Sequence, residues 1–290
     1  MQRVAVSSHQ WSELSQAWRR FRANRLAVAG AVYIILLCLM AIFADALAPH
    51  DPAYIFRGMR GVGSSWEHPL GFDHVGRCLL SRIIFGARVS LIVGLSTTLL
   101  TVVIGVMIGA AAGYVGGWGD AVLSRIADTL MALPLFVLLV MLAAMLGPGL
   151  HTTIVIIGVT GWTRIARVVR AEALSLKERD FVMAARAVGG GGPWIIWRHI
   201  LPNVLPAVIV LATLGVGMII ILEATLSFFG LGVRPPTPSW GGTLADGRAF
   251  ILMFPHISIA PGIMIVLIVL AFNFFGNGLR DALDPHQKKT

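Results

Sequence analysis

Six long apolar runs alternate with polar segments along the chain, at about 26–48, 89–113, 122–146, 151–170, 204–229 and 256–279. Crossing about 30 Å of hydrocarbon takes roughly 20 apolar residues as an α-helix, and a helix satisfies its own backbone polar groups there. The pattern therefore predicts an all-α, polytopic membrane protein with six transmembrane helices. Pro134 and Pro261 fall inside the third and sixth runs, where packed neighbours can satisfy the freed carbonyls. The divisions that follow are a polar N-terminal segment, 1–25, a transmembrane domain, 26–280, and a tail, 281–290. Within the domain, segment 171–203 lies on one side of the membrane, and 49–88 and 231–255 on the other.

Composition supports this reading. Residues are 57% hydrophobic and only 13% charged, against about a quarter charged in soluble domains. The net charge of +9 in a soluble protein would suggest nucleic acid. Here it follows the positive-inside rule, and no Lys/Arg run with interleaved aromatics marks a nucleic-acid surface, so no nucleic-acid partner is expected. With the N-terminus inside, sixteen of the 23 Lys and Arg residues collect on the inner side. Both termini are expected to be cytoplasmic, in a bacterial inner membrane. Ala46-Leu47-Ala48 resembles a signal-peptidase site. The preceding polar stretch and apolar run are too long for a signal peptide, which favours an uncleaved first span.

Trp11, Leu14, Trp18 and Phe21 recur at helical spacing beside Arg19, Arg20, Arg22 and Arg25. This reads as an interfacial amphipathic helix leading into the first span, or as a solvated tail. Gly105, Gly109 and Gly113 form a small-xxx-small stripe in the second span, which lets another helix approach closely. That helix belongs either to this chain or to a sister subunit. Cys38 and Cys78 are too few for a disulfide framework and read as incidental. His151, His199 and His256 are scattered singly, so no metal site is expected.

The polar segment 180–203 carries the most information. Asp180 can cap a short helix over 181–188, with Phe181, Ala184, Ala185 and Val188 on one face. Gly189 to Gly192 break it, since glycine costs little at positive φ and much inside a helix. Pro193 suits the first turn of a second helix, which Leu201-Pro202-Asn203 ends, with Asn203 capping the fifth span. Such an elbow either inserts into a groove on a partner or lies against the protein's own spans.

At these residues the chain resembles the cytoplasmic signature loop of bacterial ABC-importer permeases, with its Glu-Ala-Ala, Gly and Leu-Pro pattern. Ala184, Ala185, Gly189, Leu201 and Pro202 fall on that pattern, and Met183 stands where the family usually has Glu. The likeness extends to the dipeptide/oligopeptide/nickel branch, second permease subunit. Phe21-Arg22-Ala23-Asn24-Arg25, His68-Pro69-Leu70-Gly71-Phe72-Asp73 and Gly76-Arg77 through Ser81-Arg82 carry it, with Cys78 replacing a usual Asp. So do Ser227 through Gly232, Pro235 through Gly241, Ala245-Asp246-Gly247-Arg248 and Gly278 through Pro285.

The resemblance implies a non-catalytic membrane subunit, one half of a permease heterodimer. Its partners would be a second permease subunit, two ATPase subunits, an extracytoplasmic solute-binding protein and membrane lipid. ATP-Mg would be bound by the ATPases; this chain has no G-x-x-x-x-G-K-[ST] phosphate loop and needs no cofactor. Coupling to the ATPases is assigned to Phe181, Met183, Ala184, Ala185, Arg186, Gly189, Leu201 and Pro202. Peptides are the expected solute, with nickel or another small solute as alternatives. Glu223 sits in the fifth span, and an intramembrane carboxylate is a functional candidate by default. It either lines the translocation path or bonds a neighbouring helix. Asp128, near Arg125, reads as a packing or helix-end pair. Segment 231–253 reads as a docking surface for the binding protein or as a lid. A self-contained secondary transporter or channel is the rival class, and would show inverted repeats or paired broken helices.

Overall fold

A computed structural model describes residues 15–283. Helix α1 (15–23) leads into α2 (Arg25–Ile42), with Asn24 between them; its side chain accepts a hydrogen bond from the Ala27 amide at 3.1 Å. The polar side chain thus satisfies one amide that a helix start leaves without an internal partner. On α1, Phe21 is buried against Phe275, while Arg22 covers the ring of Trp18. Trp11 and Leu14 lie outside the described residues. A short turn, α3 (Ala44–Leu47), precedes a long loop that reaches α4 (Leu79–Val115).

Helix α4 starts ten residues before the expected span, because 79–88 continues the helix toward the 48–78 loop with Arg82 buried and paired. At 37 residues it is about 55 Å long and exceeds the hydrocarbon thickness. It is the axis of the bundle. On one side it packs on α7 (Leu150–Leu176), and on the others on α2, α10 (Leu201–Phe228) and α12 (His256–Leu283).

The glycine stripe explains the α4–α7 seam. A Cβ at Gly105 would lie 2.8 Å from Ile165 Cβ, at Gly109 2.5 Å from the Ala166 carbonyl, and at Gly113 2.6 Å from the Arg170 carbonyl. Only glycine lets the two backbones meet at all three levels, where dispersion rather than water exclusion holds helices together in lipid. The stripe therefore serves this chain's own packing.

The third expected span is not one helix. It comprises α5 (Gly117–Ala132) and α6 (Leu135–Leu146), bent by 90° at Leu133-Pro134. Proline has no amide hydrogen to donate and drives the preceding residue out of the helical region; Leu133 accordingly has φ −83° and ψ 139°. Among the described residues, five helices are long and apolar enough to cross a membrane, or six if the bent pair is counted as one span. Asp128 pairs with Arg167 of α7 at 2.8 Å, not with Arg125, and Asp120 pairs with Arg170. Two charge pairs thereby tie the broken span to α7.

Among the described residues there is no strand, only isolated bridges at Ile55–Arg77 and Phe72–Cys78 in the 48–78 loop. Beyond α10, the outer segment holds α11 (Trp240–Arg248). Ser239 caps it, and Trp240 is fully buried with its indole donating to the Ile83 carbonyl at 2.9 Å.

Candidate functional site: an elbow and a half-open cavity

Helix α8 (Asp180–Ala187) ends at Val188, and Gly189 turns the chain at φ +87°. A side chain at that φ would be strained, and nothing lies within 4 Å of the position, so the glycine is there for the turn. Helix α9 (Gly192–Ile195) follows, with Pro193 in its first turn. A single π turn over 196–200 then feeds directly into α10. The break expected at Leu201-Pro202-Asn203 is absent, and Gly192–Phe228 runs on as one 37-residue helical stretch. The π turn closes with the Leu201 amide donating to the Ile196 carbonyl, immediately before Pro202, which has no amide hydrogen to donate. Asn203 acts inside the helix rather than as a cap, its side chain donating to the His199 carbonyl at 2.6 Å.

The face expected to unite Phe181, Ala184, Ala185 and Val188 is split. Val182 and Ala185 turn inward and join Ile195 and Ile200 in a cluster with Ala110 of α4, Ile165, Val169 and Ala173 of α7, and Val204 and Val208 of α10. Phe181, Met183, Ala184, Arg186 and Val188 are exposed, as are Trp194, Trp197 and Pro202; Leu201 is half-buried. Arg186 lies over the Tyr114 ring at 5.0 Å and donates to its hydroxyl at 3.3 Å, pinning α8 to the end of α4. The elbow is thus welded on one side to three long helices and bare on the other.

A cavity of about 700 Å³ opens between α4, the broken span, α7, α10 and α12. Apolar walls carry a few polar groups: Thr98, Thr101, Thr160, Thr163, Arg164, Asn273 and Asn277. This is the usual chemistry of a small-molecule passage, mostly apolar with sparse polar points. Sequence reading missed these residues. The threonines look like ordinary span residues, and Arg164 counts there only as an inner-side charge.

Glu223 lies outside that lining, although Ile221 and Leu222 belong to it. It is fully buried and accepts from the Ser227 hydroxyl at 2.7 Å, which in turn accepts from the Val233 amide at 3.2 Å. Its Oε2 has no hydrogen-bond partner among the described residues.

At the opposite end from the elbow, charge organises the loop before α4. Asp73 is fully buried and accepts from the amides of Val75, Gly76 and Arg77, each at 2.9 Å. Its other oxygen receives Arg77 Nε at 2.6 Å and faces Arg82 Nε at 3.6 Å. Both arginines also reach Asp246 of α11 at 3.2 Å. Burial alone would push the Asp73 carboxyl up, but the amide donors and the Arg77 guanidinium outweigh it and hold it below the usual aspartate value.

The profile of the family described as "Binding-protein-dependent transport system inner membrane component" matches residues 102–289. The chain belongs to that family. A second profile, the N-terminal transmembrane domain of oligopeptide transport permease C, matches residues 12–61. A relative from Escherichia coli named glutathione transport system permease protein GsiD is 40% identical over 96% of this chain and 91% of its own length. Its namesake in Shigella flexneri is 41% identical over the same shares. A chain of the MetNI methionine ABC transporter, solved in inward-facing conformations, has the same fold. It superposes with a TM-score of 0.56 at 22% identity, over 71% of this chain and 97% of that one. The permease is therefore a multi-pass, non-catalytic inner-membrane subunit of an ABC importer, and requires ATPase and partner subunits.

Proposed function

We propose that this permease forms half of the translocation path for glutathione or another short peptide, beside a second permease subunit, above two ATPases and beneath a solute-binding protein. The elbow carries the mechanistic part of this reading. Its inner face is continuous with α4, α7 and α10, so a push on its bare face moves those helices as a body. Phe181, Met183, Ala184 and Arg186 present the contact, Gly189 sets the bend, and Leu201-Pro202 joins the elbow to α10. Two ATPase positions bound through differential contacts would bias inward- and outward-facing states. Met183 makes the contact apolar rather than ionic.

The same frame supports an orientation. The start of α2 and the end of α12 meet where Ala27 packs on Gly278, at the elbow's end of the bundle. With the elbow on the ATPase side, both termini are cytoplasmic, and the 49–78 loop and α11 face the binding protein. The glutathione permeases among its relatives support the solute class.

Reconstitution in liposomes tests the whole. The permease with its sister subunit, both ATPases and the binding protein should import labelled glutathione only with ATP. Import by this chain alone, down an ion gradient, would replace the reading with a secondary transporter. The Glu223→Gln variant keeps an acceptor for Ser227 and removes only the ionisable proton site. Its uptake should stay within about twofold of the parent, since the loss of a satisfied contact is avoided. A much larger loss in a folded variant would place Glu223 on the path.

A further inference from the structure

The fold brings together three potential metal ligands that are separated in the sequence: His50, His68 and Cys78. One ring nitrogen from each histidine and the Cys78 sulfur all lie within 4.8 Å of one another. Cys78 is fully buried and is a free thiol, and His68 is 9% exposed. The Nδ1 atoms of both His50 and His68 are buried without a hydrogen-bond partner among the described residues. Buried imidazole nitrogens without a partner are costly, and each ring also brings a nitrogen close to the buried sulfur.

Each ligand is held by contacts of its own. The His50 amide donates to Ser81 Oγ at 3.2 Å, and the His68 amide to Ser65 Oγ at 3.1 Å. Cys78 is bridged to Phe72 and precedes α4. The histidine rings stack at 4.9 Å, with Phe56 edge-on to both and Phe72 4.3 Å from His68. The aromatic wall excludes water, as the apolar surround of a tight metal site does.

We propose that His50, His68 and Cys78 form a binding site for a borderline-soft divalent cation, Zn²⁺ foremost, which staples the outer loop to the start of α4. Two imidazoles and a thiolate are a zinc-type donor set, leaving one position for water or another group. Zn–N of about 2.0–2.1 Å and Zn–S of about 2.3 Å place ligand atoms roughly 3.5 Å apart. Rotation of His50, the half-buried member, closes the remaining gap. The site joins the start, the middle and the end of the loop, so the ion restricts the loop and leaves the cavity untouched. A second cluster, Asp73, His74 and Asp246, is a weaker candidate because both its carboxylates already neutralise Arg77 and Arg82.

The test uses the purified full-length chain in lipid nanodiscs, stripped by chelator, kept reduced and titrated with Zn²⁺. One Zn²⁺ per chain should survive gel filtration, and Co²⁺ bound in its place should give a thiolate-to-metal absorption band that Cys78→Ser loses. Cys78→Ser and His50→Gln should each abolish the retained metal, and His74→Gln should keep it. His50 is half-buried, so His50→Gln remains informative if Cys78→Ser fails to fold. Absence of retained Zn²⁺ would overturn the site and leave two packed histidines. Retention in both Cys78→Ser and His50→Gln, or loss in His74→Gln alone, would overturn it too. None of these outcomes depends on transport.

Discussion

Replacing Ala184 with Trp should leave the permease folded and inserted in the membrane, yet cut ATP-driven uptake by roughly ten- to a hundredfold. Ala184 is exposed on α8, outside the cluster that fastens the elbow to α4, α7 and α10, so the indole meets nothing in this chain. In a docked complex it would meet a close-packed surface. Overpacking such a contact costs about 1–3 kcal/mol, and each 1.4 kcal/mol is about tenfold in binding. The readouts are ATPase co-purification, uptake, and gel-filtration behaviour of the isolated chain. Reduced co-purification with normal gel filtration is the expected combination. Full uptake by Ala184→Trp would mean that the bare face of α8 is not where force enters.

The inward neighbour makes the control. Ala185 is 7% exposed and packs inside the cluster, so Ala185→Trp should damage the isolated chain itself. Two adjacent alanines thus separate docking from folding. Periodicity in the sequence put both on one face. The structure divides them because α8 is short and must cover the ends of three long helices. Val182 and Ala185, three residues apart, are the pair that meets those helices, which leaves the more conspicuous Phe181 outside.

Spans and elbow were legible because each rests on a local rule. Length and apolarity mark a membrane helix, and glycine or proline marks a turn. The 90° break at Pro134 was not legible, since a proline in a span is compatible with a straight, kinked or broken helix until its neighbours are known. The continuity of 192–228 through Pro202 was hidden for the same reason. Long-range side-chain geometry was the least accessible. His50, His68 and Cys78 show no metal-site spacing, and Asp73 and Asp246 are 173 positions apart in the numbering. Only the fold of the outer loop brings them together.

That outer loop carries the second large effect. Asp73→Ala should destabilise the protein by about 3–5 kcal/mol, the usual cost of removing one member of a buried ion pair. The change strips Arg82, 4% exposed, of one carboxylate and leaves the Val75 and Arg77 amides without their acceptor, while the Gly76 amide keeps the Asp73 carbonyl at 3.1 Å. Asp73→Asn keeps an oxygen for the amides but not the charge, so it should lie between the two. The pH dependence separates charge from shape. The native Asp73 value is depressed below the ordinary 3.8, so the folded state binds this proton less readily than the unfolded state. Its stabilisation is therefore complete above that ordinary value and is lost as pH falls from there through the native one. Thermal unfolding in nanodiscs, followed by tryptophan fluorescence from neutral pH into that acid window, should show a steeper loss in the parent than in Asp73→Asn. Parallel profiles would mean that the ionised carboxylate contributes nothing to holding the loop on α11, and that the amide contacts alone fix it.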